Sequence, residues 1–136
     1  MLMALFELFG KKPAPNLTVP FDLTFTFHPL RIAAFKPDYV ELVLTLRNTS
    51  GEEQLTSFII TVPHGLGFEQ TGLSQEKELR MGFLKAGEEK KFKINVYGNT
   101  RTRPGDYTVK MYAAAHYRNY GYVQNELRKT FSLRVV

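Results

Sequence analysis

The chain has no cysteine and no tryptophan. Without a thiol there can be no disulfide framework, no thiolate nucleophile and no sulfur-ligated zinc site. Without tryptophan, a carbohydrate-binding surface would have to rely on tyrosine to stack on sugar rings. Histidine is scarce too: His28, His64 and His116 stand alone, with none of the short spacings that set two ligands on one face. Ser50, Ser57, Ser74 and Ser132 have no nucleophile-elbow context. Neither a helix start nor a lysine follows Gly65-Leu66-Gly67 at the spacing of a phosphate loop. The acidic pairs Glu52-Glu53 and Glu88-Glu89 fall in turn segments. The expectation is a protein that is not an enzyme, with no catalytic residue, metal or cofactor.

Long apolar runs are missing as well. The most apolar stretch, residues 1–9, would be about 15 Å long as a helix, half of a bilayer core of about 30 Å. It cannot span, and its basic residues Lys11 and Lys12 follow the apolar run instead of preceding it as in a signal peptide. The expected location is the cytoplasm. Leu2, Leu5, Phe6 and Phe9 share one helical stripe and are candidate self-association residues, most simply of a two-fold homodimer. Docking on the chain's own domain, on a partner or on a membrane surface are the alternative fates of this segment. Pro13-Ala14-Pro15 reads as a stiff linker, which divides the chain into residues 1–15 and a domain over residues 16–136.

Aromatics are plentiful, with 11 Phe and 7 Tyr among 136 residues, and this suits one domain of strands packed face to face. Phe21, Leu23, Phe25 and Phe27 alternate with Asp22, Thr24, Thr26 and His28, and prolines at both ends predict an edge strand that switches sheets, with Ile32 to Phe35 as a short continuation. Val40, Leu42, Leu44 and Leu46 form a second alternating run, which ends at the turn Asn48-Thr49-Ser50-Gly51. Further strands are predicted over Leu55–Val62, Lys77–Leu84, the run around Phe92, Ile94 and Val96, the run from Tyr107 to Ala115, and the run from Leu127 to Val135. Lys129 interrupts the inward set of the last one and is expected near a mouth of the sandwich. About seven strands with no interior helix predict an all-β, immunoglobulin-like antiparallel sandwich. Tyr107 follows a Pro-Gly-Asp turn, the position of the tyrosine that fastens the corner of many such folds.

Leu44-Thr45-Leu46-Arg47-Asn48-Thr49-Ser50-Gly51, Leu84-Lys85-Ala86-Gly87-Glu88 and Pro104-Gly105-Asp106-Tyr107 together resemble the cell-adhesion-related domain family of archaeal and bacterial proteins. The resemblance spans Asp38 to Ala115. It implies an immunoglobulin-like module that binds or spaces, and it names no ligand.

Two surfaces are candidate binding sites. The segment from His116 to Tyr122 places Tyr117, Arg118, Tyr120 and Tyr122 in a loop between the last two strands, and Tyr and Arg are common binding anchors. The outward face of those strands carries Lys110, Tyr112 and His116 on one and Arg128 and Arg134 on the other. Positive charge is concentrated late in the chain, with 11 Lys/Arg against 4 Asp/Glu over residues 85–136 and 7 against 9 before them. No nucleic-acid motif accompanies this face, so nucleic acid is not the expected partner. The leading reading is a non-enzymatic module for an unidentified protein partner. The alternatives are a membrane-surface or polyanion adaptor acting through residues 1–12, and a carbohydrate-binding accessory domain. The acceptor patterns at Asn16 and Asn48 have meaning only if the chain is exported.

Overall fold

The computed structural model describes residues 19–136, and all regular structure within them is strand. The elements are β1 (Phe21–His28), β2 (Arg31–Ile32), β3 (Asp38–Asn48), β4 (Gln54–Thr61), β5 (Glu76–Leu84), β6 (Glu89–Gly98), β7 (Gly105–His116) and β8 (Val123–Val135). They build two layers, β1-β3-β6 and β2-β8-β7-β4-β5. All neighbours are antiparallel except β2 and β8, which pair in parallel over two residues. Among the described residues no helix is long and apolar enough to cross a membrane. Residues 1–15, with Leu2, Leu5, Phe6 and Phe9, and the domain start at Asn16 lie outside the described residues.

The period-two runs bury one side of each sheet. Leu23, Val40, Leu42, Leu44 and Leu46 of the smaller sheet meet Phe58, Ile60, Val109, Met111, Ala113 and Leu133 of the larger one, all essentially without solvent contact. Each large aliphatic or aromatic side chain removed from water in this way contributes about 1.5–3 kcal/mol. The first strand does switch sheets. β1 pairs with β3, and beyond the His28–Pro29 break the chain crosses to lie beside β8 as β2. This two-residue strand is the addition to the predicted seven. It stops at Ile32 and does not continue to Phe35, because Phe35 takes φ 59°, a left-handed conformation that leaves the strand path.

Lys129 is not at a mouth. It lies mid-strand in β8, whose residues before Arg134 are left unpaired by the short β2, so that this stretch of β8 is an edge facing the edge strand β1. There Lys129 Nζ donates to Leu23 O at 2.7 Å and bridges the two sheets. Phe131 stacks beside it on Phe25 and Phe27, with ring centroids 5.1 and 4.8 Å apart. The lateral seam is thereby closed by aromatics and one ammonium.

Two polar corners fix the ends. Asn48 is fully buried, and its side chain uses every bonding position: Nδ2 donates to Glu52 O at 2.7 Å and Leu84 O at 2.9 Å, while Oδ1 accepts from Ser50 N–H and Ser50 Oγ–H. At the opposite end Tyr107 Oη–H donates to Arg103 O at 2.7 Å, four residues upstream, which is the predicted tyrosine corner.

Candidate binding surface at the β7–β8 hairpin

β7 and β8 are joined by residues 117–122, and the strands have slipped out of simple register between Ala115 and His116. Tyr117 N–H donates to Tyr122 O at 2.9 Å, Tyr122 N–H donates to Asn119 O at 3.2 Å, and Gly121 N–H donates to Asn119 Oδ1 at 2.8 Å. Arg118 sits at φ 70°, a left-handed conformation uncommon for a side-chain-bearing residue. It turns the chain and lays the guanidinium 5.1 Å from the Tyr117 ring centre. Tyr117 and Tyr122 are therefore neighbours across the hairpin base, 54% and 63% exposed. Phe83 of β5 adds to the same end. It lies opposite Leu55, which lies opposite His116, and it is 59% exposed.

Tyr120 does something different from its neighbours. β5 carries a bulge opposite Thr56 and Ser57, made by Gly82 at φ 73°. The Gly82 N–H donates to Tyr120 Oη at 3.0 Å. The ring rests edge-on against His116 at 5.1 Å, and the Arg80 guanidinium covers it at 4.9 Å. The hairpin thus folds back over the outer face of the larger sheet, and Tyr120 clasps it to β5. His116, placed by its alternation on the outward face, is only 8% exposed beneath this cover, and Ser57 only 2%.

Ser57 Oγ and His116 Nε2 are 2.7 Å apart, the separation of a nucleophile and its base. Two features remove them from that chemistry. Both are shut beneath the hairpin, and among the described residues no carboxylate is hydrogen-bonded to His116 Nδ1 to orient the ring. Burial lowers the His116 pKa below its ordinary value; the Tyr122 carbonyl and Glu78 oppose this shift without reversing it. Burial therefore favours the neutral ring, packed beneath the hairpin.

The outward sheet face is less basic than its sequence suggests. Arg128 lies 5.0 Å over the Tyr112 ring, yet its Nε is 3.1 Å from Glu126 Oε1, and Arg134 Nε is 3.3 Å from Asp106 Oδ1. Burial and the neighbouring Glu126 raise the Tyr112 pKa, and hydrogen bonding to Arg128 and Tyr112 lowers that of Glu126. Lys110 has no carboxylate partner among the described residues, and it borders an open depression of about 380 Å³ with Ile59, Tyr112, Arg128 and Thr130.

One concavity was not anticipated from the sequence. It occupies about 670 Å³ at the end opposite the hairpin, between the 33–37, 62–75 and 99–104 loops. Its residues come from three distant segments and carry no motif. The only local sign is the Arg101-Thr102-Arg103 triplet just ahead of the Pro104-Gly105 turn.

Two antiparallel layers, a first strand that changes sheet and a tyrosine corner define an immunoglobulin-like β-sandwich. No family model matches the sequence, and no curated protein matches it either. Solved structures do. A FixG-related protein from Vibrio parahaemolyticus superimposes with TM-score 0.55 at 8% identity, over 85% of this chain and 96% of that one. A CARDB domain from Pyrococcus furiosus, solved in complex with di-metal ions, gives 0.53 at 19% identity over 85% and 89%. The native form of Escherichia coli alpha-2-macroglobulin gives 0.59 at 15% identity over 86% of this chain, which spans only 7% of that much longer protein. The resemblance to the cell-adhesion-related domain is thus one of fold.

Proposed function

We propose that the chain is a non-enzymatic protein-interaction module that meets its partner with Tyr117, Arg118, Tyr122 and Phe83 at the hairpin end of the sandwich. The observation that carries this reading is the division of labour among the hairpin tyrosines. Tyr120 is spent on holding the hairpin to β5, while Tyr117 and Tyr122 stand more than half exposed on the backbone it fixes. Rigid aromatic anchors lose little entropy on binding, and an exposed cluster of them is uncommon on a surface with no partner. The likeness to binding-type sandwiches supports the class of function and gives no partner.

The test is affinity capture from the native host with tagged wild-type protein and with Tyr117→Ser/Tyr122→Ser. The expected result is a stoichiometric partner retained by wild type and lost by the double variant, both with the same Tm. Equal recovery by the two proteins refutes the assignment of the surface.

A further inference from the structure

We infer that the 670 Å³ concavity at the other end of the sandwich is a binding site for a small organic oxyanion, a carboxylate or phosphate attached to an aromatic or apolar body. Three observations and one general property of arginine lead to this. The volume falls within the range of about 300–1,000 Å³ usual for small-molecule sites. Arg101, Arg103 and His64 line it, and none of its described lining residues is acidic. Neither arginine pairs with a carboxylate among the described residues. Guanidinium groups suit planar, two-pronged recognition of carboxylate and phosphate oxygens.

The walls are preorganised. Thr102, between the two arginines, is fully buried; its Oγ1–H donates to Gly65 O at 2.6 Å and Oγ1 accepts from Asn99 N–H at 2.8 Å. The arginines therefore hang from a pinned backbone. Gly72 faces Asn99 so closely that a Cβ there would stand 2.7 Å from Asn99 Nδ2, and one on Gly67 would stand 2.7 Å from Gly72 Cα. Gly67 thus lets the 62–75 loop close on itself, and Gly72, at φ 71°, takes a conformation that favours glycine beside Asn99. Tyr107, tied through its hydroxyl to Arg103 O, supplies an aromatic wall that cannot swing away.

The apolar half of the site is built at a cost. Phe35 holds φ 59°, where a bulky residue is strained, and its N–H donates to Thr102 O at 2.8 Å. The Phe35 ring and Leu73, both lining the concavity, are exposed instead of packed in the core. Exposed apolar groups beside the guanidiniums of Arg101 and Arg103 fit a ligand that is anionic at one end and flat or apolar at the other.

The test titrates the ¹⁵N-labelled chain with phenyl phosphate, benzoate, inorganic phosphate and neutral benzamide. Saturable shifts at the amides of Gly65, Gly72, Thr102 and Arg103 are expected with an aryl anion, weaker ones with inorganic phosphate and none with benzamide. The tighter of the two aryl anions identifies the recognised group. Arg101→Gln/Arg103→Gln should weaken aryl-anion binding roughly tenfold or more at unchanged Tm, as expected for losing charge-assisted hydrogen bonds. Phe35→Gly, which relieves the strain, should bring aryl-anion affinity down to that of inorganic phosphate. Absence of shifts with every probe, equal binding of benzamide, or unchanged affinity in the arginine double variant overturns the proposal.

Discussion

Asn48 shows how one side chain replaces a loop's worth of contacts. Its four hydrogen bonds join the end of β3 to the turn after it and to the last carbonyl of β5, the bond to Leu84 O being buried and the three to the turn partly so. Asn48→Ala leaves Leu84 O unpaired in the interior and should cost about 2–4 kcal/mol in urea unfolding with an unchanged m-value. The same geometry keeps Nδ2 unavailable for glycosylation in the folded protein, although Asn48-Thr49-Ser50 fits the acceptor pattern. His116 gives a pH signature. Its folded pKa lies below the unfolded value of 6.5, so the unfolded chain takes up the proton first. The stability from keeping this ring neutral is complete above about pH 6.5 and is lost as pH falls through the lower folded pKa. Thermal scans from pH 7.5 to 5 should show Tm of wild type falling more steeply over that interval than Tm of His116→Gln; parallel curves would contradict the role given to the ring.

The β7–β8 hairpin is the element in which local and long-range order meet. The register of β5 on β4 shifts beside Gly82, and the Gly82 N–H holds Tyr120. Tyr120→Phe keeps the ring contacts and removes this bond, so exchange of the Gly82 amide should accelerate roughly tenfold while amides of β3 stay unchanged. β1, β3, β6, β7 and β8 are legible in the sequence because each carries its own period of two, β4 because it is rich in β-branched residues, and Tyr107 because its turn precedes it directly. Division of labour among Tyr117, Tyr120 and Tyr122 was not, since it depends on a bulge 38 residues from Tyr120. The loss of basic character on the sheet face was half visible. Glu126 and Arg128 are two apart on one strand and must share a face, whereas the pairing of Asp106 with Arg134 needs the register of β7 on β8.

Taken as a whole, the sandwich presents two chemically different ends separated by the length of β7, about 40 Å. One is aromatic and built on a clasped hairpin; the other is a concavity whose arginines have no carboxylate partner among the described residues. Between them the outer face of the larger sheet sets Arg31, Arg80, Lys110, Arg128 and Arg134 against Glu76, Glu78, Asp106 and Glu126. Such a nearly balanced face gives little counterion release, so a single-stranded oligonucleotide should not bind there at about 150 mM salt, and Lys110→Ala/Arg128→Ala should leave fluorescence anisotropy unchanged. The protein-binding surface proposed at the hairpin end is tested by placing a photo-activatable phenylalanine at position 117 or 122 and, for comparison, at Thr24 or Thr26 on the opposite sheet, then irradiating the protein in its native host. Discrete protein adducts from positions 117 and 122, with none from 24 and 26, are predicted; adducts confined to the opposite sheet, or absent from all four positions, would contradict it.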